Sequence, residues 1–344
     1  MLIYLFFLAI PLVTSLFYSP SKQKGGWMLW LFFIPLFVFT GLRNKIGPDW
    51  IGYSLIYDST LYTDFSDISI TSEPGFFLVN KLSEAMGWEL YGVMAICAFI
   101  FIYGIFSYAL KTPNPWMAVA VVTPYLVFVI SMSGIRQAAA IGFGYFMLSH
   151  DKEYLIYTKL LIIALAMSFH TSAAIFLLFL IFDGKDKKGL RLLGVIGVGI
   201  FLAMSLNDTG TTNRYQREYI EINIVSGGAL FHVLLSAFPA ALYLLLRKKI
   251  VLAVGANPTV DMASYMVLAA LPLLLISSTG VDRLTLYFSF IQMWIYPALI
   301  KTYKGSYNVV KFSIFVLILF VFFVFFMFGT HAYTYLPYNN ILFD

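Results

Sequence analysis

Polar positions in this chain are confined to short gaps between long apolar runs, which recur from the first residues almost to the last. The runs cover residues 2–17, 27–42, 91–110, 116–131, 135–148, 154–169, 172–182, 190–206, 230–246, 262–276, 284–300 and 309–328. A straight helix needs about 20 apolar residues to cross a hydrocarbon core about 30 Å thick, so the pattern predicts an all-α polytopic membrane protein with about 11–12 transmembrane or re-entrant helices, several of them too short to cross alone. Runs 154–169 and 172–182 leave too little chain for two crossings. The break between them, Ser168-Phe169-His170-Thr171-Ser172, predicts a helical hairpin with its tip inside the bilayer, because non-helical backbone survives at that depth only where it faces protein or water. After the polar stretch 44–72, residues 74–86 are apolar on one side and carry Glu84, which predicts a surface-lying or re-entrant helix.

Composition sharpens this picture. With 60% apolar, 18% aromatic and 11% charged residues, the chain lies far from soluble domains and leaves no stretch for one. A single membrane domain, 1–344, is predicted, with loops at 43–90 and 207–229. The one cysteine, Cys97, sits in an apolar run as a packing residue, so neither a disulfide nor a cysteine metal site can be built. The segment 2–17 has no basic region before it and no small-residue cleavage site, which predicts a retained helix and not a signal peptide.

Charge adds sidedness. Alternating along the segments, one set of connections carries 15 of the 22 basic residues and five acids, a net of +10, while the other carries seven bases and 12 acids, a net of −5. The positive side is the cytoplasmic one. Both termini and the loops 43–90 and 207–229 then face outward from a cytoplasmic (inner) membrane, toward periplasm or cell exterior. The overall charge of +5 is dispersed among short loops, which argues against nucleic acid as a partner.

The bases that break this bias are Arg43, Lys45, Lys81, Arg136, Arg214, Arg217 and Arg283. Five of these seven are arginine, against two of fifteen on the positive side. Lysine suffices to anchor a loop to headgroups, whereas the planar arginine fork suits two phosphate oxygens at once. Arg136 opens a short apolar helix, at or below the membrane interface, and needs an anionic partner. Structural pairing with the outward acids is the alternative for the whole set. His170, in the helix break, is a candidate base, or else a packing histidine bonded to a serine or a carbonyl. His150, His232 and His331 are read as structural. Asp49, Glu73 and Asp282 lie near helix ends, as bases or sugar-hydroxyl ligands on one reading and as turn or capping residues on the other. Among the outward aromatics are Trp50, Tyr53 and Tyr215, which suit an interfacial belt or stacking on sugar rings. There is no P-loop, dinucleotide fingerprint, HExxH or Asp-x-Asp pair, which argues against soluble nucleotides as donors.

Six motifs occur in order at the outward ends of apolar segments: Gly41-Leu42-Arg43 with Gly47-Pro48-Asp49-Trp50 and Tyr53; Glu73-Pro74-Gly75-Phe76 with Leu78 and Asn80; Ile135-Arg136-Gln137 with Ala140; Phe169-His170-Thr171-Ser172-Ala173; Arg214-Tyr215 with Tyr219; and Asp282-Arg283 with Tyr287. Together they resemble the EpsG-like, Wzy-type polymerases of bacterial surface polysaccharide (O-antigen, capsule or exopolysaccharide). Pro48 departs from the threonine usual in that family. The resemblance implies a glycosyltransferase that moves a growing glycan from one undecaprenyl pyrophosphate to the end of a newly flipped repeat unit, without metal or cofactor. It further implies partners in a flippase and a chain-length regulator. In these terms Arg136, Arg283, Arg43 and Arg214 are expected to bind the pyrophosphate, His170, Asp49 or Glu73 to act as base, and Trp50, Tyr53, Tyr215 and Asp282 to bind sugar. A flippase of lipid-linked sugars, a ligase to another acceptor and a membrane scaffold are the competing readings.

Overall fold

The computed structural model describes residues 1–18, 26–65, 73–181, 228–275 and 278–343. Among these residues lie fourteen α-helices and no β-strand: α1 (Leu2–Phe17), α2 (Gly26–Gly41), α3 (Trp50–Leu61), α4 (Pro74–Ala85), α5 (Glu89–Ala109), α6 (Pro115–Val122), α7 (Ile135–Ser149), α8 (Ile156–Phe169), α9 (Leu177–Ile181), α10 (Ala229–Val254), α11 (Pro258–Ala270), α12 (Ser278–Leu286), α13 (Phe290–Thr302) and α14 (Tyr307–Phe328). Helices α5, α10, α14 and the stretch Pro258–Leu275 are long and apolar enough to cross a membrane. The protein is an all-α, multi-pass membrane protein. The expected helix 190–206 and most of the loop 207–229, with Arg214, Tyr215, Arg217 and Tyr219, lie outside the described residues.

At the centre, α5 packs along α7 with glycines facing each other. A Cβ on Gly104 would lie 2.0 Å from the Gly142 carbonyl oxygen, and one on Gly142 would lie 2.4 Å from that of Ile100. Backbones approach this closely in lipid only over small residues. Helix α7 therefore runs through the core, with Arg136 at one end and Ser149 at the other.

Four elements depart from the apolar pattern. The polar stretch 44–72 contains α3, whose buried Tyr53, Tyr57 and Thr60 recur at helical spacing among polar neighbours that disguise the period. The run 116–131 begins as α6 and continues as a π-helical segment, Thr123–Ile130, closed by the Ser131 amide donating to the Leu126 carbonyl. The run 230–246 extends to Val254, because Arg247 forms a two-pronged ion pair with Asp261 of α11 (2.6 and 2.7 Å) and the chain turns only at Gly255, with φ 89°. The run 284–300 is two helices.

That last break is built by its neighbours. Tyr287, Phe288 and Ser289 bond three residues back, which releases carbonyls from the α-helical ladder. Gln137 of α7 donates to the Arg283 carbonyl at 2.8 Å, and the Tyr145 hydroxyl reaches that of Leu286 at 3.4 Å. The break expected at His170 is also present. Helix α8 ends at Phe169, His170 is extended (φ −156°, ψ 119°), and a 3-10 turn, Thr171–Phe176, leads into α9, which packs back on α8.

Two ion pairs stand at the Ser149 end: Lys111 with Glu153 at 2.9 Å, and the fully buried Lys159 with Asp151 at 2.7 Å. At the opposite end the C-terminal tail is stitched to the turn after α2. The amides of Asn44 and Gly47 donate to the carbonyls of Asn339 and Thr334, the Ile341 amide donates to Leu42, and the Tyr338 hydroxyl donates to Phe39. Tyr4 of α1 joins this seam through its hydroxyl to the Tyr335 carbonyl, with its ring packed among Phe39, Phe128, Phe326 and Tyr338.

Candidate functional site

Arg43 sits at the base of this seam. It is 1% exposed, its Nε and Nη2 donate to the Met132 carbonyl (3.1 and 2.8 Å), and its Nη1 donates to that of Thr40 (2.6 Å). Gly47 presses on the same carbonyl: its φ is 96°, and a Cβ there would lie 2.6 Å from the Met132 oxygen. The expected role of Arg43 in binding pyrophosphate is therefore corrected. Its guanidinium is spent on backbone carbonyls and does not reach the cavity. It fixes the turn between the π-helical segment and α7, and so sets where Ser133 and Arg136 stand.

Beyond that turn opens a cavity of about 1060 Å³, at the upper edge of the range for ligand sites. Asp49, Tyr53, Ser133, Arg136, His170 and Arg283 contribute to its polar wall, while Val321, Val324, Phe325 and Phe328 of α14 form an apolar one. Of the residues singled out from sequence, Asp49, Tyr53, Arg136, His170, Asp282 and Arg283 line it. Trp50 does not; it packs against Tyr91, with ring centroids 5.9 Å apart. Arg214 and Tyr215 lie outside the described residues.

Glu73 organises one wall from behind. It precedes α4, is buried, and has both carboxylate oxygens engaged: Oε2 accepts from Arg136 Nη1 at 2.5 Å, and Oε1 lies 2.6 Å from His170 Nδ1. This reach depends on Gly75, where a Cβ would lie 2.1 Å from Ser168 Oγ and 3.1 Å from Phe169 Cδ2. Only glycine lets the start of α4 sit so close to the end of α8. Burial alone would raise the Glu73 pKa, but the hydrogen bond with His170 and the charge of Arg136 outweigh it and hold the carboxyl below its usual range. Arg136 is held from below as well, its guanidinium 5.8 Å from the Tyr53 ring and 5.7 Å from that of Phe76. Asp49 Oδ2 accepts from the Ser133 hydroxyl at 2.6 Å. With Nδ1 on a carboxylate, a neutral His170 presents its other nitrogen as an acceptor.

A second wall shows what the sequence reading passed over. His232, in the first turn of α10, also lines the cavity, with Nδ1 3.1 Å from Asp282 Oδ2 and its ring stacked on Tyr125 (centroids 4.3 Å, 25° between planes). His331 of the tail lines the cavity too. The apolar residues around His232 hid it. The available signal was its place at the start of a run directly after an outward loop, as with Asp282-Arg283 and Arg136.

A family model described as the EpsG family matches residues 26–340. Neither curated proteins nor solved structures give a match.

Proposed function

The chain belongs to the EpsG family, and from that we propose that it is a Wzy-type polysaccharide polymerase, a membrane glycosyltransferase joining oligosaccharide repeat units carried on undecaprenyl pyrophosphate. The observation that supports this most is Glu73 holding Arg136 and His170 together at the wall of the cavity that Arg283 also lines. Prepositioned cations stabilise charge that develops as a phosphate leaves, the task a metal performs in many sugar-nucleotide enzymes.

In the reaction, a hydroxyl of the acceptor repeat unit attacks the anomeric carbon of the donor glycan. A C–O bond forms there while the C–O bond to pyrophosphate breaks, and the electron pair departs with the lipid pyrophosphate. Arg136 and Arg283 hold that anion. An imidazole on the cavity wall takes the hydroxyl proton, and Asp49, Tyr53 and Asp282 offer ligands for sugar hydroxyls. The cavity faces the outer side of the cytoplasmic membrane, where a flippase delivers units and a regulator sets chain length.

Purified protein given only synthetic lipid-pyrophosphate repeat units, with EDTA present, is expected to make a ladder of polymer. Arg136→Ala and Arg283→Ala are each expected to reduce it by roughly 100-fold or more, as for removal of one oxyanion-stabilising donor. No ladder from folded wild-type protein would turn the reading toward a ligase or a flippase. Active arginine variants would remove the clamp.

A further inference from the structure

The cavity holds two histidine–carboxylate pairs on walls built from different helices. His170–Glu73 lies where α4, α7 and α8 meet, and His232–Asp282 lies between α10 and α12. The first pair shares its carboxylate with Arg136. Arg136 makes this the wall suited to gripping an anion. In a single displacement the attacking hydroxyl and the leaving oxygen stand on opposite sides of the anomeric carbon. The base therefore belongs away from Arg136 and His170; Arg283, next to Asp282 on α12, is the clamp residue nearest to it in sequence.

Resting on the polymerase reading, we propose that His232 is the general base for the acceptor hydroxyl, with Asp282 and Tyr125 setting its orientation. Its ring is fixed in two directions, by Nδ1 against Asp282 Oδ2 and by stacking on Tyr125. A carboxylate on Nδ1 sets the tautomer that leaves Nε2 as the acceptor. Beside that edge of the ring stands Gly228, itself on the cavity wall, where a Cβ would lie 3.0 Å from Nε2 and 2.9 Å from Cε1. The Gly228 backbone, with φ −111°, would accept alanine, so what the glycine provides is space at Nε2. The acceptor O–H proton passes to Nε2 as the new C–O bond forms, and is released to water after the pyrophosphate departs.

The test compares polymerisation by wild type, His232→Asn, His232→Ala and Gly228→Ala on synthetic lipid-pyrophosphate units. Asparagine keeps a donor toward Asp282 and lacks Nε2, so kcat should fall by about 100-fold or more while the donor KM stays within about twofold. Gly228→Ala leaves the histidine in place and should lower kcat by roughly tenfold, since a general base must reach its proton closely. Added imidazole should restore part of the rate to His232→Ala and none to Gly228→Ala. A His232→Asn enzyme within about threefold of wild type, or one impaired only in KM, overturns the assignment. A wild type that makes no polymer overturns the polymerase reading and this assignment with it.

Discussion

At the scale of single residues, one motif divides its labour. Arg43 and Gly47 converge on the Met132 carbonyl and serve the backbone, while Asp49, two residues beyond Gly47, faces the cavity. Sequence alone exposes arginine and aspartate but not which one reaches solvent, because that depends on a carbonyl almost ninety positions away. Glu73 shows the same limit. Its turn context was legible, yet its two partners come from α7 and from the break after α8. The sign of its pH effect follows from its lowered pKa: the stabilisation is present above the ordinary carboxyl value of 4.5 and is lost as pH falls through the lower folded-state value. Thermal unfolding in detergent should find Glu73→Gln less stable than wild type at pH 7 by about 1–3 kcal/mol. That gap should narrow as pH falls below 4.5, and a gap unchanged at low pH would contradict the arrangement.

At the scale of elements, apolar length located α1, α2, α5, α7, α8 and α14, which fall within a few residues of the runs that predict them. Two of the misreadings share a cause. The break after Leu286 is held by Gln137 and Tyr145 of α7, and the π-helical segment before Ser131 accepts at Val129 from the Tyr335 hydroxyl of the tail; a local apolar pattern carries no trace of such partners. These irregular elements border the site: Arg283 precedes one, Tyr125 lies in another, and His170 is a third. Glycine substitutions separate the two kinds of packing. Gly104→Leu should destabilise the bundle by about 3 kcal/mol or more, because the side chain would meet backbone on α7. Gly75→Val should leave the unfolding temperature closer to wild type, since it meets the Ser168 and Phe169 side chains and not backbone, but should lower polymerisation by moving Glu73 from His170. Measuring melting and activity on both variants checks the pair, and a fully active Gly75→Val would show that the Glu73–His170 contact is dispensable.

At the scale of the whole molecule, the two ends of α7 differ in character. At the Ser149 end Lys111, Lys159 and Arg247 are each paired with an acid of the protein. At the Arg136 end, cation, imidazoles and carboxylates surround an open cavity beside the apolar face of α14. The loop-by-loop charge count distinguished these ends; the cavity itself, assembled from α3, α7, α10, α12 and α14, was not readable from any one segment. Removal of residues 330–344 should keep most of the helical signal, since the core loses chiefly Tyr335 and the packing of Tyr338 on Phe39, but abolish polymer formation, because the Asp49 turn loses its bonds to Thr334, Asn339 and Ile341. Circular dichroism alongside the polymer assay would separate that outcome from global unfolding.

The seam between that tail and the turn after α2 also bears on biosynthesis. Residues 42–47 leave the ribosome early and obtain their partners only when residues 334–341 follow. A chain halted partway through membrane insertion would carry its arginines and histidines without the wall that aligns them. Such an intermediate would not yet hold its cavity in the arrangement described above while still attached to the translocation machinery.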